Sequence, residues 1–107
     1  LVRARLDGAN LSQVRLDGAD LRLASAKGAL MRLCVCHQAQ LAGANLSEAV
    51  LQKADLRGAD LRRSNLFGAD LSRVRIDDAT RFEDALLHRV RTWPRLTPEH
   101  QAQQAPP

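Results

Sequence analysis

Tyrosine is absent from the 107 residues, phenylalanine occurs only at Phe67 and Phe82, and tryptophan only at Trp93. A chain so poor in rings has few groups on which nucleic-acid bases stack, whereas a narrow interior filled by leucine and alanine has this composition. Cysteine is nearly as scarce. Cys34 and Cys36 stand two residues apart, which gives no disulfide framework and points to a reducing compartment. No apolar run approaches the roughly eighteen residues of a membrane-spanning helix, and no leader pattern opens the sequence. Sixteen Lys and Arg against twelve Asp and Glu leave a formal charge of +4 and a pI near 10.0. That mild excess favours acidic partners without forming a polybasic tract.

What is present is a period of five. Leucine falls at Leu41, Leu46, Leu51, Leu56, Leu61, Leu66 and Leu71, and a small residue stands two places before each: Ala39, Ala44, Ala49, Ala54, Ala59, Ser64 and Ala69. Helices repeat apolar residues at three and four and half-buried strands at two, so strict fives require a unit that bends once per repeat. The register extends back to Leu1 and forward to Ile76. It is already in phase at the first residue, where no initiating methionine stands, and a preceding domain is expected.

The segments GANLS, GADLR, KADLR and GADLS resemble the A(D/N)LXX pattern of the pentapeptide-repeat family. The resemblance implies an all-β chain, a right-handed quadrilateral parallel β-helix of about four coils with four pentads per turn. Stacking every twentieth residue gives the inner column Leu1, Leu21, Leu41, Leu61 and three more like it, with the other three residues of each pentad outside. Asp and Asn before the centre are expected to hydrogen-bond nearby backbone and fix each bend. Glycine repeats at two of the four corner columns, so type II-like turns are expected there and a different turn at the other two.

The second turn is irregular, and Leu23, Leu30, Leu33 and Val35 are read as outward-facing, with Val50 stacked on Leu30. An exposed apolar strip on a polar rod suggests a contact surface. With Arg22, Arg62 and Arg63 these residues form the candidate interaction surface. After Ala79 the register shifts by one residue, and Phe82, Leu86, Leu87 and Val90 fall at helical spacing. The sequence therefore divides into a β-helix over 1–79, a capping segment over 80–93 with a short helix from Phe82 to about Arg91 and Trp93 packed on it, and a flexible tail rich in Pro, Gln and Ala over 94–107.

Cys34, Cys36 and His37 are the one cluster of metal-ligating types. The cysteines occupy inward places and the histidine an outward one, so they are not expected to converge on an ion. No nucleophilic triad, phosphate-cradling loop or carboxylate pair emerges, and neither a cofactor nor an enzymatic activity is expected. The function expected is a scaffold presenting a surface to a protein partner, as a module of a larger bacterial protein. Asn65 to Leu96 resembles the ends of repeat modules in type VI secretion-associated proteins, which implies a bacterial cytoplasmic, secretion-associated setting. An open coil end at Leu1 admits an end-to-end homodimer. Some relatives imitate B-form DNA and inhibit DNA gyrase, protecting it from quinolones. That alternative needs an acidic surface, which the charge disfavours, and direct nucleic-acid binding ranks third.

Overall fold

In a computed structural model, which describes residues 1–92, the chain winds as a four-sided parallel β-helix. Parallel bridges join outer wall residues twenty places apart, as in Arg5 to Ser25 to Asn45 to Asn65, and twenty-one places apart from Asp60 to Arg81 onward. Four coils result, 1–20, 21–40, 41–60 and 61–81, followed by two walls of a fifth among the described residues. Every pentad is built alike. The centre and the residue two before it face the shaft, the residue between them bridges to neighbouring coils, and the next two make the corner. The corner closes with a hydrogen bond back to the centre's carbonyl, as Ala44 N–H donates to Leu41 O at 3.0 Å. Coils are then joined through both faces of each wall peptide: Leu46 N–H donates to Asn65 O at 2.7 Å and Asn65 N–H to Ala44 O at 2.8 Å.

The shaft is filled. Leu41, Leu46, Leu51, Leu56, Leu61, Leu66 and Leu71 are all buried beside their alanines, each contributing on the order of 1.5–3 kcal/mol. In the second coil Ala26, Met31 and Cys36 take the central places and remain buried. Only one large side chain per pentad fits, which is why alanine recurs two places before it. At the first coil the packing thins: Leu6, Leu11 and Leu16 are only partly buried and Leu1 is 66% exposed.

The corners depart from expectation. Glycine and non-glycine corners adopt the same left-handed backbone: Gly8, Gly18 and Gly28 have φ of 65 to 68°, and Gln13, Leu33, Gln38, Lys53 and Arg73 have φ of 59 to 64°. Stacking imposes one corner geometry on all four columns, whatever residue stands there. A left-handed L-residue costs about 1–2 kcal/mol, offset by the greater chain entropy that glycine loses on folding. Lys53→Gly, at an exposed corner, is therefore expected to raise stability by about 0.5–1 kcal/mol, read as a higher denaturation midpoint. Gly43 is different, because a Cβ there would meet Leu23 Cδ2 at 2.7 Å. Leu23 leans across the glycine one coil away.

The larger correction concerns the C-terminal segment, where no helix forms among the described residues. One extra residue enters at the corner Asp77-Asp78-Ala79, and the pentad then resumes with Thr80, Ala85 and Val90 in the alanine place and Phe82 and Leu87 at the centre. The slip thus begins before Ala79. Thr80 Oγ1 donates to Leu56 O at 2.8 Å and accepts from Asp77 N–H at 3.1 Å, while Asp77 Oδ1 accepts from Gly58 N–H at 3.0 Å. Side chains make there the bonds that backbone makes elsewhere. Coil 61–81 offers an open row of donors and acceptors, and a strand satisfies that row where a short helix cannot: Leu66 N–H donates to Leu86 O and Leu71 N–H to Arg91 O. Phe82 is buried in the shaft, Leu87 and Val90 are half-buried, and Leu86 is 58% exposed on an outer wall. Trp93 and the tail over 94–107 lie outside the described residues.

Candidate functional site

With the shaft closed by leucine, only the outside can act. The candidate surface residues separate into two groups on diagonally opposite corners. Leu30 and Val50 bridge to one another on one wall, Leu33 stands at the next corner and Val35 on the wall beyond it. Leu30 is 44% exposed, and the other three are half-buried. This strip turns round an edge of the rod. Leu23, Arg22, Arg62 and Arg63 lie instead at the corner made by residues 2–3, 22–23, 42–43 and 62–63.

At that second corner the arginines differ in kind. Arg22 grips Asp20 through Nε at 2.8 Å and a terminal nitrogen at 2.6 Å, and Arg62 grips Asp60 at 2.9 and 2.7 Å. In both, Oδ1 also accepts the arginine's own N–H, at 3.2 and 3.1 Å. Asp55 and Arg57 repeat the clasp on another corner. In each clasp the carboxylate before a centre takes the arginine just after it, so an arginine in the second corner place is left over. Arg3 and Arg63 occupy that place and have no carboxylate partner among the described residues. Between them lies a groove of about 400 Å³ with Arg22 on its wall and Leu23, Ala42 and Gly43 in its floor. The clasp motif, Asp-Leu-Arg, was present in the sequence as a signal that this pairing would split the arginines.

The clasps govern the titration of the surface. Hydrogen bonds from Arg22 hold Asp20 at about 2, and those from Arg57 and Arg62 likewise hold Asp55 and Asp60 below the ordinary carboxylate value. Burial opposes ionisation of Asp70, but the Ser72 hydroxyl and N–H and the Gln52 amide outweigh it. Asp77 is lowered first by the Gly58 N–H. A carboxyl whose folded value is depressed stabilises the fold above its unfolded value near 3.8, and that stability drains as pH falls toward the folded value. The denaturation midpoint is expected to hold from neutral pH to about 4 and to fall steeply below it. Replacing Asp20, Asp55 and Asp60 by asparagine should flatten that fall, because Asn45 and Asn65 already accept the same corner N–H through Oδ1, at 3.0 Å each.

Cys34 and Cys36 face each other inside the shaft with their sulfurs 3.2 Å apart, while His37 is exposed outside. Contact with the Cys34 sulfur and burial push the Cys36 thiol far up. The pair acts as buried packing, and no group of three or more His, Cys, Asp or Glu converges among the described residues. His88 lies parallel to Phe67, their ring centroids 6.2 Å apart across adjacent coils. No helix among the described residues is long and apolar enough to cross a membrane.

The family model for pentapeptide repeats matches residues 1–35 and 34–73, in eight copies. A pentapeptide repeat protein from the Arabidopsis thaliana thylakoid lumen is similar in structure, with a TM-score of 0.72 and 30% identity over 92% of this chain and 72% of its own. Another, from Nostoc Pcc 7120, has a TM-score of 0.51 and 36% identity over 85% of this chain and 82% of its own. QnrB1, a plasmid-mediated fluoroquinolone resistance protein, stands at 23% identity and a TM-score of 0.44 over 87% of this chain and 64% of its own, too distant to bear on function. No curated protein matches the sequence.

Proposed function

The chain belongs to the pentapeptide-repeat family, and from that premise we propose that it is a non-catalytic scaffold presenting its outer walls to a protein partner, as a module of a larger, secretion-associated bacterial protein. The observation that supports this reading is the strip Leu30, Val50, Leu33 and Val35, four apolar side chains on neighbouring wall and corner places, where polar residues are the commoner occupants. The shaft behind the strip is packed by other side chains. A partner covering it removes apolar surface from water, the usual driving force of association.

A photo-crosslinking residue at position 30 of the intact parent protein tests the proposal, with position 48, on an exposed corner, as control. One discrete adduct from 30 and none from 48 is expected. Equal or absent labelling at both overturns the reading. An adduct of two copies identifies a homodimer instead, and a partner outside any secretion assembly removes only that part of the proposal. The gyrase-inhibitor alternative fares worse here, because the rod's outward Asp20, Asp55 and Asp60 are each clasped by an arginine. No inhibition of supercoiling is expected at stoichiometric protein.

A further inference from the structure

We propose that the groove at the corner of residues 2–3, 22–23, 42–43 and 62–63 binds an extended acidic peptide segment of the form acid-x-apolar-x-acid, its carboxylates on Arg3 and Arg63 and its apolar side chain over Leu23 and Ala42. The proposal rests on the scaffold reading in that the occupant is a protein, but on a different corner from the apolar strip.

Arg3 belongs to the first coil and Arg63 to the fourth, and the corner residues between them are stacked by direct backbone bonds, Arg3 N–H to Arg22 O, Leu23 N–H to Ala42 O and Gly43 N–H to Arg62 O. Coils paired like strands rise about 4.8 Å each, so the two arginine positions stand roughly 14 Å apart along the rod. An extended chain rises about 3.3 Å per residue and puts residues i, i+2 and i+4 on one face. Its first and fifth side chains therefore match the two arginines, and its third falls over the floor midway.

The floor suits an apolar group. Leu23 is 50% exposed there, and Ala42 and Gly43 put no long side chain over the third coil. Leu23 leans into the space that glycine leaves, which keeps the floor apolar and low. The remaining charges frame the site without filling it. Arg22 and Arg62 are neutralised by Asp20 and Asp60, Glu83 is held by Arg81 at 2.9 Å, and Asp84, at the same corner of the fifth coil, makes no ion pair with Arg63. The surplus within the groove is thus the two positive charges of Arg3 and Arg63. Arginine suits the task because its planar fork takes a carboxylate in two parallel bonds.

The test is fluorescence anisotropy at low salt with a labelled peptide containing Glu-Ser-Leu-Ser-Glu, a second with the same residues in the order Glu-Glu-Leu-Ser-Ser, and a single-stranded oligonucleotide of matched charge. The spaced peptide is expected to bind most tightly. Arg3→Gln and Arg63→Gln should each weaken it by up to about fivefold, the range of an exposed ion pair, and together by about an order of magnitude. The double variant Arg3→Glu with Arg63→Glu should prefer a Lys-Ser-Leu-Ser-Lys peptide, a gain that mere damage to the fold does not produce. Equal binding of the two acidic peptides, tighter binding of the oligonucleotide, or no binding of any probe overturns the proposal. Each of those results leaves the position 30 adduct to decide the scaffold reading separately.

Discussion

Phe82→Ala is expected to lower stability by about 3–5 kcal/mol, and Leu86→Ala to change it by less than about 0.5 kcal/mol. The two residues share an apolar stripe if the segment is helical, and both truncations are then costly. In the β-helix they part company. Phe82 is fully buried at the centre of a pentad, in the column where the earlier coils hold Leu21, Leu41 and Leu61, whereas Leu86 points outward from the next wall. Removing the ring opens the shaft beneath the fifth coil and leaves Leu61 without its upper neighbour. Because a solenoid is stabilised coil by coil, amide protection over 82–92 should be lost first, before the coils below respond. Phe82→Leu restores the residue type used in the other coils and should recover most of the loss. Equal costs for Phe82→Ala and Leu86→Ala in urea denaturation would restore the helix.

The difficulty of that segment shows what a repeat makes legible. Leu41 through Leu71 could be placed inside because a leucine and a small residue recur at the same spacing seven times, and the twenty-residue stacking followed from it. At Asp77-Asp78-Ala79 a single added residue moves every later side chain off that count. The continuing pentads then carry Thr80 and Val90 where alanine is usual. Phe82, Leu86, Leu87 and Val90 fit a helix by spacing alone, and the row of unsatisfied backbone on coil 61–81, which decides for a strand, is not written in the segment itself. The corners illustrate the same limit. Residue type signals a left-handed backbone at Gly43 or Gly58 but not at Leu33 or Lys53, where stacking on neighbouring corners imposes it. At the groove the sequence named Arg22, Arg62 and Arg63 as candidate surface residues, and the separation into clasped and unclasped arginines needed the reach of Asp20 and Asp60.

Leu51→Ala should be among the most damaging single truncations of a shaft leucine, at about 3–5 kcal/mol, near the top of the range for buried leucine. The cost of such a cavity depends on how far its walls collapse. Here they cannot. The residues above and below in the column, Met31 and Leu71, are each fixed to the next coil by a backbone bond, Met31 N–H to Val50 O at 2.7 Å and Leu71 N–H to Arg91 O at 2.7 Å. Leu51 N–H is itself bonded to Asp70 O at 2.8 Å, so the third coil cannot slide to fill the space. Leu6→Ala, in the first coil where the leucine is only half-buried, removes less contact and should cost less than half as much. The position in the rod matters as well as the burial. A defect at the third coil weakens the coupling between the two halves of the solenoid, so hydrogen exchange should report early opening of amides on both sides of Leu51, while Leu6→Ala frays the first coil alone. Equal losses at the two positions would mean that the shaft relaxes like a liquid core, and the account of a rod held in register by its own backbone would fail.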